Sequence, residues 1–124
     1  MIDNFNYAAA IEFQRNKPTT VDEEFKSLFQ EATVECENII NMLKDKYNPE
    51  KIYQWGSLLK PANFKDYSDI DIAVEGLTAK EFFAAFGDAM EMTSFPLDLV
   101  DINDVAESHL DSIVKEGKLV YEKK

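Results

Sequence analysis

Two aspartates in the middle of the chain have the spacing of a metal-binding pair. Asp69 and Asp71 lie in residues 69–75, where polar and apolar residues alternate as in a β-strand. Side chains alternate across a strand, so both carboxylates are expected on one face and the apolar residues on the other. Carboxylate oxygens suit Mg²⁺, which usually binds together with substrate phosphates. The pattern therefore indicates a site for a divalent metal.

A Gly-Ser pair lies upstream of the two aspartates. Gly56 and Ser57 directly follow residues 51–55, which predict a strand that runs into a tight turn. A Gly-Ser turn can present backbone N–H groups to a phosphate. This turn, combined with Asp69 and Asp71, indicates chemistry on a nucleoside triphosphate.

A third acidic position follows on the predicted strand 97–100. Asp98 lies inside this strand, and Asp101 comes directly after it. Because strand side chains alternate between faces, only one of the two can join Asp69 and Asp71 within the sheet. Asp101 is more typical of a loop or capping residue. Three carboxylates facing one phosphate chain would hold two Mg²⁺ ions.

The same residues also have simpler structural interpretations. Asp69 and Asp71 fit a solvated strand face, and Ser57 fits a helix cap. Lys60 fits a phosphate contact and a solvent-exposed position equally well. His109, in a predicted helix, fits a packed or half-exposed histidine better than a catalytic one.

The elements that must position these residues begin with a long helix. Thr20 followed by Glu23 is a capping-box pattern, and apolar residues then recur at helical spacing to about Lys46. Asn48 and Pro49 end the helix. The positions expected to face inward are Phe25, Leu28, Phe29, Ala32, Cys36, Ile39, Ile40 and Leu43.

The second half of the chain alternates helices and strands. Thr78 with Glu81 repeats the capping box. The helix that follows is expected to bury Phe82, Phe83, Phe86, Ala89 and Met90.

The C-terminal part predicts one more helix and an edge strand. Asn103 or Asp104 is expected to cap the helix, Gly117 to end it, and residues 119–121 to form the strand. The order of elements predicts an α/β (α+β) fold, in which helices cover a small sheet.

Length and composition further limit the possible functions of the protein. The 124 residues are expected to form one domain, 1–124, in which residues 1–17 are a loosely ordered N-terminal extension. The net charge of −11 argues against direct nucleic acid binding and suits a basic protein partner. Cys36 is the only cysteine, so no internal disulfide is possible. No segment has the roughly 18 apolar residues of a membrane span, and we expect a cytoplasmic protein that does not bind membranes.

Four segments carry a resemblance to a known family: KIYQWGS at 51–57, SDIDIAV at 68–74, LDLVD at 97–101 and IVKEGKLVYE at 113–122. Gly-Ser, eleven intervening residues, Asp-x-Asp and a later strand aspartate form a specific combination, although each part alone is weak. Together they resemble the nucleotidyltransferase superfamily that includes DNA polymerase beta, in particular its minimal nucleotidyltransferase (MNT) branch. The resemblance implies a nucleotidyltransferase fold with a small mixed β-sheet.

The resemblance implies a role for each matching position. Asp69 and Asp71 would bind metal and nucleotide, and Gly56 and Ser57 would hold the β- and γ-phosphates. Asp98 matches the third catalytic carboxylate, which ligates the catalytic metal and takes the acceptor's proton. The implied cofactor is Mg²⁺, as two ions for which Mn²⁺ can substitute. The implied reaction moves AMP from ATP to a hydroxyl and releases pyrophosphate.

One segment departs from the family pattern. Many relatives follow Gly-Ser with a small residue and then Arg-Gly, whereas this chain has Leu58, Leu59, Lys60 and Pro61. Lys60 can supply positive charge for nucleotide binding but not the bidentate fork of arginine. Pro61 stiffens a turn that the family leaves to glycine.

The resemblance also implies an acceptor. MNT proteins are often encoded beside a HEPN-domain protein, a helical RNase, and act as its antitoxin by adenylylating a tyrosine on it. A hetero-oligomer with a HEPN-type protein is therefore expected. Two alternatives stay open: transfer to a small molecule such as an aminoglycoside, and a catalytically idle antitoxin that acts by binding alone.

Overall fold

The computed structural model describes residues 18–59 and 69–124, with side chains from residue 23 onward. The predictions for residues 1–17, Lys60 and Pro61 lie outside the described residues. Within these ranges no helix combines the length and apolar character needed to cross a bilayer. The helices and strands follow in the order α1 (Pro18–Met42), β1 (Lys51–Trp55), β2 (Ile70–Glu75), α2 (Ala79–Met90), β3 (Leu97–Asp101), α3 (Glu107–Glu116) and β4 (Lys118–Glu122).

The four strands form one mixed sheet in the order β3-β2-β1-β4. β1 pairs antiparallel with both β2 and β4, whereas β2 and β3 pair in parallel. A parallel pair requires a crossover connection, which α2 supplies here. The α/β class, the small mixed sheet and the C-terminal edge strand expected from the sequence are all confirmed.

The long N-terminal helix is confirmed, although its ends differ from the prediction. It begins at Pro18, before the expected cap Thr20, because the fixed φ of proline suits the first turn of a helix. A π-helical turn, Leu43–Tyr47, extends α1. Asn48 closes this turn with a left-handed φ of 47°, and its N–H donates to the Leu43 carbonyl over 2.9 Å.

Only the C-terminal half of α1 packs deeply against the sheet. Phe25 and Leu28, both expected to face inward, are each 36% exposed. A helix of 25 residues spans about 37 Å, whereas strands of this length span roughly 17–20 Å, so the sheet covers only part of α1. The α1 side that packs consists of Ala32, Cys36, Ile39, Ile40 and Leu43.

The crossover helix α2 starts as the sequence predicts. The Thr78 hydroxyl accepts the Glu81 N–H, and the Glu81 carboxylate accepts the Thr78 N–H, which completes the capping box. The prediction that Phe83 and Met90 are buried is wrong, since they are 74% and 58% exposed. Ala89 is buried as predicted, and Ala85, which was not predicted, joins it in the buried contact of α2.

Both α1 and α2 cover one face of the sheet, which we call the first face. It is formed by Ile52, Ile70, Ile72, Val74 and Leu99. The opposite, second face packs against α3 through a smaller cluster of Ala73, Ile102 and Ile113. The alternation predicted for β2 is therefore confirmed, since its isoleucines and Val74 lie on the first face and Ala73 on the second.

The connection into α3 corrects a predicted cap. Asn103 and Asp104 belong to a 3₁₀ turn, and α3 begins only at Glu107, with Ala106 as its N-cap. Gly117 ends the helix as predicted, but its φ of −84° is not left-handed. A Cβ at Gly117 would lie 2.4 Å from the Ile113 carbonyl oxygen, so the close approach of the backbone requires glycine there.

Candidate metal and phosphate site

The centre of the site is Asp71, on the second face of the sheet. It pairs in register with Trp55 of β1 on one side and with Asp98 of β3 on the other. Asp71 is 8% exposed and is the one buried charged residue among those the structure describes. Because directly paired residues of neighbouring strands project from the same face, the Asp71 and Asp98 side chains meet.

Asp69 completes a cluster of three carboxylates. It lies one residue before β2, on the same side as Asp71, and is exposed to solvent. One oxygen from each of Asp69, Asp71 and Asp98 lies within 4.8 Å of the other two. Three oxygen ligands at this separation, on adjacent strand ends, suit a hard divalent cation.

Electrostatics support this interpretation of the cluster. Burial, with the added repulsion of Asp98 and Asp69, raises the pKa of Asp71 to about 7. Burial and the charge of Asp69 also raise the pKa of Asp98, while His109 acts in the opposite direction. Burial is the larger cause of both shifts and repulsion among the carboxylates adds to it, and a bound cation would relieve both effects. The donor set therefore fits a divalent metal.

The Gly-Ser turn lies directly against these carboxylates. Gly56 has a φ of +84°, a conformation that L side chains rarely adopt. A Cβ at Gly56 would lie 2.0 Å from Oδ2 of Asp71. The turn continues as a 3₁₀ helix, Ser57–Leu59, with the Leu59 N–H donating to the Gly56 carbonyl over 3.1 Å. Glycine is therefore required here both by its φ and by contact with Asp71.

The structure resolves the choice between the two aspartates of β3. Asp98 lies on the second face beside Asp71, where it joins the cluster. Asp101 instead accepts the Asn103 N–H over 3.0 Å and caps the 3₁₀ turn. This is the capping role expected of it from the sequence. Lys60, the remaining predicted nucleotide-binding residue, lies outside the described residues.

Two aromatic side chains beside the cluster were not predicted as part of it. The Trp55 indole meets the His109 ring edge-on, with centroids 5.1 Å apart and an interplanar angle of 87°. The Trp55 Nε1 is buried without a hydrogen-bond partner in the described part of the chain. The sequence does show Trp55 two residues after Tyr53 on one strand face, but its pairing with Asp71 depends on a register that only the fold defines.

The sequence that forms this site matches a known protein family. Residues 37–124 match the family described as polymerase beta, nucleotidyltransferase. The matched segment contains the whole sheet, the Gly-Ser turn and the three carboxylates. No curated protein matches the sequence.

Several solved structures share the fold. A chain of a toxin–antitoxin complex crystallised with AMP-PNP is 25% identical, with a TM-score of 0.59 over 72% of this chain and 74% of the other. A second, from a complex of tri-AMPylated Shewanella oneidensis HEPN toxin with MNT antitoxin, is 25% identical, with a TM-score of 0.55 over 74% and 73%. A chain of the MntA-HepT toxin–antitoxin, at 23% identity, has a TM-score of 0.55 over 73% of each chain. The nucleotidyltransferase fold expected from the sequence is confirmed.

Proposed function

Since this chain belongs to the polymerase beta nucleotidyltransferase family, we propose that it moves AMP from ATP to a hydroxyl acceptor and releases pyrophosphate. The observation that carries this proposal is the convergence of three carboxylates with a glycine turn at one end of the sheet. The site combines a place for cations with backbone donors for phosphate.

The carboxylates Asp69, Asp71 and Asp98 would hold two Mg²⁺ ions, for which Mn²⁺ could substitute. Bound there, the ions would neutralise the triphosphate and lower the pKa of the attacking hydroxyl. The raised pKa of Asp71, about 7, supports this assignment because a carboxylate so placed gains most from a neighbouring cation.

The other groups of the site bind and orient the nucleotide. Backbone N–H groups at Gly56 and Ser57 would hold the β- and γ-phosphates, and Lys60 would add positive charge. Asp98 would accept the proton of the acceptor hydroxyl as its oxygen bonds to the α-phosphorus. The bond between the α-phosphorus and the oxygen bridging to the β-phosphate breaks, and pyrophosphate leaves. Positioning and charge neutralisation supply most of the rate in such a site.

The acceptor that we propose is a tyrosine of a HEPN-type toxin, which makes this chain an antitoxin. A structurally similar chain comes from a complex that contains a tri-AMPylated HEPN toxin. The net charge of −11 also suits a basic protein partner. The reaction would take place in the cytoplasm, where ATP is available.

A second candidate function is neutralisation of the partner by binding alone. The sequence after Ser57, which differs from the family pattern, favours this function. Leu58 is buried, and the following residues lack the Arg-Gly of many relatives. The alternative of a small-molecule acceptor has no comparable observation in its favour.

Intact mass spectrometry tests the proposal. The purified chain is incubated with ATP, Mg²⁺ and the HEPN-type protein encoded beside it, and both chains are weighed. We expect one or more adenylyl groups on the partner with the wild type and none with Asp71→Asn. The matched control is Asp101→Asn, which makes the same change on β3 outside the cluster and should leave transfer intact.

The other outcomes are equally informative. A stable complex without any mass gain would overturn the transferase proposal in favour of binding alone. Transfer that survives Asp71→Asn would show that the carboxylate cluster is not the reaction centre.

A further inference from the structure

The outward side of α2 carries an apolar surface that the fold does not cover. Phe83 is 74% exposed and Met90 58%, with Gly87 between them on the same side of the helix. Apart from its chain neighbours and the backbone of α2 itself, no described atom lies within 4 Å of the position that a Gly87 Cβ would occupy. We call Phe83, Gly87 and Met90 the α2 stripe, which spans two helical turns or about 10 Å.

The fold does not need the α2 stripe for its own packing. The opposite side of α2 already contacts the core through Ala85 and Ala89, with Phe82 and Phe86 packed at its margins. An exposed phenylalanine beside an exposed methionine, on a helix with a filled core side, is typical of a protein–protein contact. Gly87 leaves a flat place between the two larger side chains, where a partner's side chain can approach the helix backbone.

Charged residues of both signs lie near the α2 stripe. Glu91 is exposed directly after Met90, and Lys80 lies one turn before Phe83. Asp88 is paired with Lys46 at 2.7 Å and with the Tyr47 hydroxyl at 2.5 Å.

The whole chain carries a net charge of −11, so a second copy would bring a like charge to this surface. A partner with basic residues around an apolar patch is complementary both to the stripe and to the chain.

The position of the α2 stripe relates it to the carboxylate cluster. α2 connects two parallel strands, so it runs antiparallel to them, and its last residue, Met90, lies at the end of the sheet where β2 and β3 begin. The segment 91–96 leads from Met90 into β3, and the Ile70 N–H donates to the Pro96 carbonyl over 2.8 Å. Asp98 is the second residue of β3. Met90 and the cluster therefore lie towards the same end of the sheet, with α2 on the first face and the carboxylates on the second.

We propose that the α2 stripe is the docking surface for the HEPN-type partner. The partner would contribute an apolar helix face bordered by lysine or arginine. Bound in this way, the partner would extend around that end of the sheet and present its acceptor hydroxyl to Asp98 on the second face. This inference rests on the proposed function and adds to it the surface by which the partner is held.

Binding measurements on serine variants test the inference. The affinity of the HEPN-type protein encoded beside this chain is measured by titration calorimetry for the wild type, Phe83→Ser, Met90→Ser and Val114→Ser. Val114 is the matched control, because it is a 50% exposed aliphatic residue on α3, which covers the other face of the sheet. We expect the two stripe variants to bind on the order of 10- to 100-fold more weakly, and the control to bind as the wild type does.

A charge reversal tests the chemistry of the partner. Glu91→Lys is expected to weaken binding roughly 3- to 10-fold at low salt, and the loss should shrink as salt is added. Glu116→Lys, the same change on α3, is the control and should leave affinity unchanged. Mg²⁺-dependent thermal stabilisation by ATP, measured on every variant, verifies that fold and nucleotide site are intact.

Each outcome of these titrations is decisive. Equal affinities for the stripe and control variants would overturn the docking surface while leaving the proposed function standing. If the wild type does not bind the HEPN-type protein, the proposal that this protein is the partner is refuted, and the docking surface is refuted with it. A wild-type dimer that Phe83→Ser dissociates would show that the stripe binds a second copy instead.

Discussion

Replacing Asp71 by asparagine should stabilise the metal-free protein. Asparagine keeps the shape of the carboxyl group but removes a charge that is 8% exposed and repelled by Asp69 and Asp98. Burial and that repulsion raise the pKa of Asp71 from 3.8 to about 7. A shift of this size corresponds to about 4 kcal/mol at 1.36 kcal/mol per unit. Because solvent reaches Asp69 and screens the repulsion, we expect a gain of about 1–2 kcal/mol, or roughly 4–8 °C in Tm.

The pH dependence of this gain follows from the direction of the shift. The folded state binds the Asp71 proton more tightly than the unfolded chain does, so the wild type loses stability as the pH rises from about 4 to about 7. Below about pH 4 both states of the wild type are protonated at Asp71, and the advantage of asparagine disappears. The difference in Tm between Asp71→Asn and the wild type should therefore be largest at pH 8, less than half as large at pH 5, and close to zero below about pH 4.

Thermal unfolding in EDTA and in Mg²⁺ measures both effects. Mg²⁺ should raise the Tm of the wild type at pH 8, since the cation neutralises the cluster, and should raise that of Asp71→Asn much less. Asp101→Asn is the control and should follow the wild type in every buffer. A lower Tm for Asp71→Asn in EDTA at pH 8, or an equal difference at pH 5 and pH 8, would refute the assignment of repulsion at Asp71.

Four further predictions concern three glycines and the cysteine. Gly56→Ala should lower the free energy of unfolding by about 1–3 kcal/mol and remove Mg²⁺-dependent stabilisation, since its Cβ would lie 2.0 Å from Asp71 Oδ2. Gly87→Ala, the same change where a Cβ would meet no described atom beyond its chain neighbours and the backbone of α2, should stabilise α2 by about 0.5–1 kcal/mol in denaturant titrations; a loss in this control would contradict the open space described there. Gly117→Ala should cost about 1–3 kcal/mol through crowding of the Ile113 carbonyl, and an unchanged midpoint in urea would show that the backbone relaxes. Cys36, whose pKa burial raises to about 12, should react with a thiol reagent only as fast as the protein unfolds; rapid labelling of the folded protein would contradict its burial.

Local signals in the sequence predicted the elements and the cluster well. Thr78 and Glu81 are three residues apart, so their capping box depends on nothing beyond one helical turn, and it forms as predicted. Strand alternation placed Asp69 and Asp71 on one face and left either Asp98 or Asp101 as the third carboxylate. The family resemblance selected Asp98, and the structure brings one oxygen of each of the three residues within 4.8 Å of the others. A motif of this kind combines local periodicity with a small number of strands, which leaves few possible arrangements.

The predictions that failed concern features that are set by contacts between distant parts of the chain. Helical periodicity placed Phe83 and Met90 inward, but the width of the buried side of α2 is set by how the helix lies on the sheet. Asn103 or Asp104 was expected to cap α3, whereas Asp101 caps the turn that contains both residues. The pairing of Trp55 with Asp71 likewise follows from the register of β1 and β2, which no single segment encodes.

The register between β2 and β3 has a consequence for how the chain avoids misfolded pairings. Among the described strands β3 lies at the edge of the sheet, with β2 as its one neighbour. A slip of one residue would turn Asp98 towards the apolar first face and Leu99 towards the second. An unpaired carboxylate in that core is far costlier than the loss of a ladder hydrogen bond, so the slipped pairing is strongly disfavoured. Asp98, which contributes an oxygen to the cluster, therefore also stabilises the correct register of β3 relative to the slipped one.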